Sequence, residues 1–576
     1  MIKRGVKPIY VVSAVTLGLS VLAILGGLLH LAVPVCLPAD TFFGVLFLLA
    51  LLSLNLLVYL SDRLVDRSDY LGRRLHRRGY LCLAVIAAGL WTMLLLNQLV
   101  AVIYTNRFDS LIFAGIYLCY FGILVLGAAA ARGTLVAVKR GFPLQRGRRA
   151  RAPRRGGGFK KTVTVLCYIA LALGLAGLYF LLAGDRSVFF ESAPQFAEIF
   201  ISGFSLFHAF TLLSLVVLIL KLQNRPGSAG AVLVGALGLV SFALYLLPLV
   251  GIFKTCDAAK TEFEDVFGSG RLEQMDAART DQFLDKPFSL PAYFLGMRPD
   301  EYRYEKDLVF YEGSSGVDDG LKLRCDVFMP PEGRTDLPGW GSTLIRIHGG
   351  AWIGGDKGFA NMLQVNKYFA SRGYTVFDLQ YGLTDLVMLT LPALQARLGP
   401  AELIGPYTLD DMMRHLGEFT KYLAAHAAEY DLDLDSVFIS GGSAGGQLST
   451  ALALAISGES HSELFSDAIK IKGYIPLYPA IETSFLPDLG EAPEWIDVKL
   501  LVDEKSPPCL VYQGTKDGMV KLVTAREFKE RYRAAGNEEC ALLEFDWGGH
   551  ASDFYFSGYF NQPWTYYMER FMYLHR

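Results

Sequence analysis

Seven long stretches almost free of charge recur in the first 253 residues, at roughly 8–33, 41–61, 79–104, 110–131, 162–183, 199–220 and 229–253. A helix needs about 20 apolar residues to cross the hydrocarbon core of a bilayer. Helices of soluble proteins seldom run that far without a polar face. The pattern predicts a bundle of about seven transmembrane helices over residues 1–253. The first stretch is too long for the apolar core of a cleaved signal peptide. Residues 254–300 mix charge with helix formers and carry Pro291 and Pro299, which reads as a helical stalk or linker. Beyond 300 the apolar runs shorten. Strands are expected around 306–311 and 321–329, and helices around 361–371 and 410–429.

The 576 residues are 52% hydrophobic with a mean hydropathy of +0.33, and the excess lies in the first half. The net charge of −2 conceals a split: residues 1–253 hold 24 Lys and Arg against 8 Asp and Glu, while the remainder holds 30 against 48. With the N-terminus inside, the cytoplasmic loops take nearly all the basic residues, the largest cluster running from Arg132 to Lys161. The outer loops keep Arg107 and Arg186. That asymmetry follows the positive-inside rule, and an odd number of spans puts the C-terminal half outside the cytoplasm. An acidic C-terminal half is unsuited to nucleic acid. The basic loop reads as a topology anchor touching anionic headgroups. Within the spans Asn97, Gln98 and His208 are the notable polar groups, and interhelical hydrogen bonding is their expected role.

Candidate chemistry sits in the second half. Phe438-Ile439-Ser440-Gly441-Gly442-Ser443-Ala444-Gly445-Gly446 reads strand, tight turn, helix, with Ser443 in a Gly-x-Ser-x-Gly nucleophile elbow. Upstream, an apolar strand runs into His348-Gly349-Gly350-Ala351-Trp352. Such a loop can aim backbone N–H groups at a developing oxyanion. The candidate donors are Gly350, Ala351 and Ala444, with His348 and Gly349 shaping the loop. Downstream, Asp517 follows one apolar strand and His550 follows the next. The order Ser, Asp, His is that of an α/β-hydrolase triad. Asp546 and Asp553 lie nearer His550 in sequence, but neither follows the penultimate strand.

These residues resemble the α/β-hydrolase superfamily, and most closely its carboxylesterase, acetyl-xylan and feruloyl esterase branch, related to the hormone-sensitive-lipase group. The matching features are His348-Gly349-Gly350-Ala351-Trp352 with Gly355-Asp356-Lys357, Gly442-Ser443-Ala444-Gly445-Gly446, Asp517 and His550. The resemblance spans roughly residues 300–576. It implies a mostly parallel eight-stranded sheet flanked by helices over 301–576, with no metal and no organic cofactor. Ala351 stands where many relatives carry a third glycine. The stretch 384–407 is greasier than is usual there, and Leu386, Val387, Met388, Leu389, Leu391 and Leu394 are candidates for a cap.

The expected activity is hydrolysis of carboxylic esters at the outer membrane face. The candidate substrates are short acyl esters, acetyl among them, on envelope polysaccharide, or lipid esters. Acyl transfer by the same triad is an alternative. A seven-span sensor or transporter carrying a ligand-binding hydrolase-like domain is another. The eight cysteines form no zinc spacing. Cys325 and Cys509 read as buried thiols, and Cys256 with Cys540 is the one disulfide considered.

Overall fold

The computed structural model describes residues 7–32, 37–64, 70–140, 158–183, 199–223, 228–279, 282–298, 300–359, 362–385, 399–482 and 489–576. The expected cap residues 386–394 and most of the basic loop lie outside these.

The apolar stretches form helices α1 (Lys7–Ala32), α2 (Leu37–Leu64), α3 (Tyr70–Val102), α4 (Asp109–Lys139), α5 (Gly158–Leu182), α6 (Ser205–Leu222), α7 (Ala229–Tyr245) and α8 (Leu247–Phe267). Among the described residues, seven helical segments are long and apolar enough to cross a membrane, α7 and α8 counting together as one. Small residues let these helices approach closely, since a side chain on Gly27 would run into Tyr120 and one on Gly89 into Ile123. Tyr120 Oη donates to Ala23 O at 2.7 Å and ties α4 to α1.

After α9 (Arg271–Arg279) and α10 (Leu290–Leu295) the chain builds one eight-stranded sheet. Its strands are β1 (Arg303–Glu312), β2 (Lys322–Met329), β3 (Thr343–Ile347), β4 (Thr375–Leu379), β7 (Val437–Gly442), β8 (Ile471–Leu477), β9 (Cys509–Gly514) and β10 (Cys540–Phe545). They stand in the order β1-β2-β4-β3-β7-β8-β9-β10. β2 is antiparallel to both its neighbours, and every other pair is parallel. β5 (Leu383–Thr384) and β6 (Ile404–Gly405) form a separate small pair. The central strands β3, β4 and β9 are buried on both faces, as parallel strands between helices must be. The covering helices are α11 (Met362–Ser371), α12 (Leu409–Ala425), α13 (Ala444–Ser457), α14 (Pro493–Ile496), α15 (Leu522–Ala534) and α16 (Asn561–His575).

The segment 254–300, expected as a helical stalk or linker, packs along the hydrolase. α8 passes residue 253 unbroken, and its buried Ile252, Thr255, Ala259, Phe263 and Phe267 recur at helical spacing. Its far end lies along the edge strand β10. There Glu262 accepts from Leu542 N at 2.8 Å and also pairs with Lys529, while Thr255 Oγ1 accepts from Asp546 N at 3.1 Å. The helix covers an edge that would otherwise present unpaired N–H groups. Asn97 donates to Phe294 O in α10 at 3.0 Å, so this polar group of α3 bonds the connecting segment rather than another span. His208 Nε2 lies 2.9 Å from Phe200 O, just ahead of its own helix.

Cys256 and Cys540 are both free thiols, which corrects the disulfide considered for them. Cys540 opens β10 directly beside Cys509 of β9, and both are buried inside the sheet. Cys325 and Cys509 are buried, as expected.

Replacing Glu262 by Ala removes the acceptor of the Leu542 N–H. The expected loss is about 1–3 kcal/mol, the cost of a part-buried donor left unpaired, read as a lower melting temperature of the detergent-solubilised full chain.

Candidate active site

Ser443, Asp517, His550 and the His348–Ala351 loop each sit just beyond a strand at the same rim of the sheet. That is where open α/β sheets bind their ligands. The elbow is the tightest turn. Ser443 has φ 57° and ψ −119°, a strained conformation for a residue with a Cβ. Glycine on both sides is a steric need. A side chain on Gly445 would collide with Ile347 O and His348 O, and one on Gly441 with Gly445 O. Ser443 N donates to Leu477 O at 2.9 Å, so β8 holds the turn from behind.

The structure brings Ser443, His550 and Asp517 together. His550 Nε2 lies 3.0 Å from Ser443 Oγ. His550 Nδ1 lies 3.1 and 2.9 Å from the two oxygens of Asp517. His550 is 4% exposed and Asp517 7%, so their contact is shielded from water, while Ser443 is half-buried. Asp517 Oδ1 also accepts from Met519 N at 2.9 Å and Val520 N at 2.8 Å, and Oδ2 from Gln513 Nε2 at 3.1 Å. The carboxylate is thereby aimed before the imidazole arrives. Asp546 pairs with Lys254 of α8 at 3.0 Å, and Asp553 accepts from Tyr478 Oη at 2.8 Å. Neither stands at His550 Nδ1.

Two tyrosines that sequence reasoning did not single out fix the His550 turn. Tyr478, just past β8, lays its ring 4.7 Å from the imidazole while its hydroxyl holds Asp553. Tyr512 Oη and Ser552 Oγ are 2.6 Å apart. The sequence signal was weak: each is one aromatic among many, Tyr478 just past β8 and Tyr512 within β9.

The His348 loop turns back over Ser443. Gly349 packs against Gly442 O and the Ser443 Cβ. Gly350, Ala351 and Trp352 have φ of 129°, 55° and 61°, and Ile353 N and Gly354 N both donate to Gly350 O, at 3.1 and 3.0 Å. The third glycine missing at Ala351 is thus replaced by an alanine in the left-handed region. Ala444 opens α13, where a first-turn N–H has no partner within the helix. His348 is buried and stacked on Tyr381 at 4.4 Å, with Nδ1 2.8 Å from Gly349 O. Burial pushes its imidazole down to about 4 from the usual 6.5, so it is neutral and shapes the loop without charge. Among the described residues no group of His, Cys, Asp and Glu could hold a metal ion.

A sequence profile of the alpha/beta hydrolase fold matches residues 406–497, which include the elbow. The probable carboxylic ester hydrolase LipM of Mycobacterium tuberculosis (strain ATCC 25618 / H37Rv) is 26% identical over 276 residues, 44% of this chain and 57% of that protein. The chain thus matches little more than half the length of that relative. Apo Thermogutta terrifontis esterase 2 is 21% identical, with 46% of this chain and 90% of that one covered at a TM-score of 0.35. Its propionate-bound form is 23% identical over 43% and 84% at 0.33. The C-terminal part of the chain belongs to the α/β-hydrolase superfamily.

A group buried neutral binds fewer protons in the folded state than in the unfolded one. The His348 contribution is therefore fully present above pH 6.5 and is lost as pH falls through 6.5 towards 4. In His348→Phe the urea midpoint is expected to fall less between pH 7 and 4 than in the unsubstituted protein. Equal slopes would mean that His348 titrates normally.

Proposed function

We propose that the protein is a membrane-embedded serine hydrolase that cleaves carboxylic esters outside the cytoplasm. The observation that carries this reading is the line Ser443 Oγ, His550 Nε2, His550 Nδ1, Asp517 carboxylate at one buried rim of the sheet. A serine hydroxyl becomes a useful nucleophile when a base accepts its proton as it attacks. His550 takes that proton at Nε2 while Asp517 holds the tautomer and stabilises the imidazolium. The Ser443 oxygen bonds to the ester carbonyl carbon, and the carbonyl oxygen becomes an oxyanion. The N–H groups of Gly350, Ala351 and Ala444 receive it. Collapse expels the alcohol, which takes its proton from His550, and water repeats the sequence on the acyl-enzyme. The name of the mycobacterial relative agrees with ester hydrolysis.

Insertion in the bilayer is supported by the surface of the helical half. Leu111, Leu118, Leu173, Val232, Leu239 and Val250 are each more than 60% exposed. An apolar surface of that extent suits lipid rather than water. The hydrolase packs on one end of the bundle, through Val100, Tyr104 and Ser205. Arg63, Lys139 and Lys221 lie at the opposite helix ends. Basic ends face the cytoplasm in the usual arrangement, which puts the hydrolase on the outer side. Residues 1–253 then form the anchor and 301–576 the enzyme. Short acyl groups on envelope polysaccharide, and lipid esters, are the substrates within reach of such a site.

Ser443→Ala is expected to abolish hydrolysis of a chromogenic acetyl ester, with the melting temperature kept, since alanine retains the Cβ and the conformation of the elbow. Undiminished turnover would overturn the assignment. Intact cells given membrane-impermeant esters of increasing acyl length should hydrolyse the short ones. Turnover only after lysis would place the enzyme inside.

A further inference from the structure

The loop joining α3 to α4 reaches out of the bundle and brings Tyr104 against Asp326 of β2 and Gly358, at the foot of the loop that carries Gly350 and Ala351. Tyr104 Oη donates to Asp326 Oδ2 at 2.6 Å. Asp326 lies on β2 and is fully buried. Its other oxygen accepts from Asp307 N at 2.9 Å and pairs with Lys357 Nζ at 2.8 Å. Lys357 also reaches Asp307 at 2.6 Å. The next residue, Gly358, has φ +76°, and a Cβ there would sit 2.9 Å from the Tyr104 hydroxyl. Gly358 N donates to Asp378 Oδ2 at 2.8 Å, and Asn366 Nδ2 donates to the same oxygen at 2.8 Å. The foot of the His348–Gly358 loop is therefore held from β2, from β4 and from the bundle.

The stretch between this foot and Ser443 has little slack. Ile353 N and Gly354 N close on Gly350 O. Gly355 presses on Gly349 O and the His348 ring so closely that no Cβ fits. Asp356 Oδ1 accepts from Lys357 N at 2.8 Å and Gln380 Nε2 at 2.7 Å. These contacts give a shift at Lys357 a short, closed path to Gly350 and Ala351. Removing the Tyr104 hydroxyl takes a donor from a buried carboxylate, which can recover one by shifting Lys357. Tyr104 itself is fixed: Tyr302 Oη donates to its carbonyl at 2.7 Å, and Lys306 Nζ sits 3.8 Å above its ring.

We propose that Tyr104 is a positioning residue through which the helical bundle sets the oxyanion loop of the hydrolase. It acts through Asp326 and Lys357 and touches no reacting atom. The helical half then contributes to the rate as well as to location. The inference rests on the serine-hydrolase reading above.

The test uses the full chain in detergent, unsubstituted and as Tyr104→Phe, with reactive sites titrated by a fluorophosphonate. Three quantities are measured: kcat per titrated site, KM for an acetyl ester, and Ki of a trifluoromethyl ketone. Ser443 Oγ adds reversibly to that ketone; its carbonyl oxygen becomes the oxyanion and the serine proton passes to His550. In Tyr104→Phe, kcat per site is expected to fall about 5- to 20-fold, a fraction of the roughly 10²–10³ that a lost oxyanion donor costs. KM should stay within twofold, and ketone affinity should weaken by the same factor as kcat/KM. Tyr104→His, which keeps a donor near Asp326, should recover most of the rate and serves as the readable variant should Tyr104→Phe not fold. A His variant with ketone affinity and kcat both lost would overturn the proposal. So would a Phe variant with unchanged kcat per site, even at a lower melting temperature. Absence of labelling and turnover in the unsubstituted protein would instead remove the serine-hydrolase reading itself.

Discussion

The chemistry proposed for the C-terminal half hangs on one contact, the 3.0 Å approach of His550 Nε2 to Ser443 Oγ. It requires a residue with φ 57° at the elbow, and therefore glycine at 441 and 445, where a side chain would strike backbone carbonyls. It also requires that the turn after β10 present the imidazole from the other side. That turn is held at Ser552 and Asp553 by tyrosines within β9 and just past β8, and at Asp546 by a lysine of α8. The strain of the elbow, of order 1–3 kcal/mol, is supported by strands buried on both faces around it. The chemistry is thus placed by backbone geometry first and by side-chain contacts second.

One hydrophobic core runs through both the helical half and one side of the hydrolase. Phe204, Phe207 and Tyr293 pack with Tyr555 and Tyr559, so aromatic rings run without a gap from α6 through α10 into the segment behind His550. Hydrogen bonds follow the same seam, from Ser205 to Tyr559 and from Lys367 to Val100 O. Interfaces of this kind resist independent motion of their halves. A tether would need none of them.

Local features were legible in the sequence and remote ones were not. The elbow, the His348 loop, Asp517 and His550 are short patterns set by turn geometry at strand ends, and order along the chain was enough to expect them at one rim. The seven apolar helices follow from length and charge alone. The docking of α8 on β10 was missed although its buried positions recur at 252, 255, 259, 263 and 267. The charges between them suggested a helical stalk or linker, whereas Glu262 and Lys254 point at partners in the hydrolase. Tyr104 and Asp326 are separated by 222 positions, and no pattern in either neighbourhood announces the other. The disulfide considered for Cys256 and Cys540 failed for the same reason: strand register, which sets Cys540 beside Cys509, is a property of the folded sheet.

The most direct test of the central claim is to label the purified full-length protein with a fluorophosphonate and locate the adduct by peptide mass spectrometry. The account predicts one stoichiometric adduct, on the peptide containing Ser443, formed far more slowly in His550→Ala. An unlabelled Ser443 in folded protein, or labelling at an unchanged rate without His550, would contradict it.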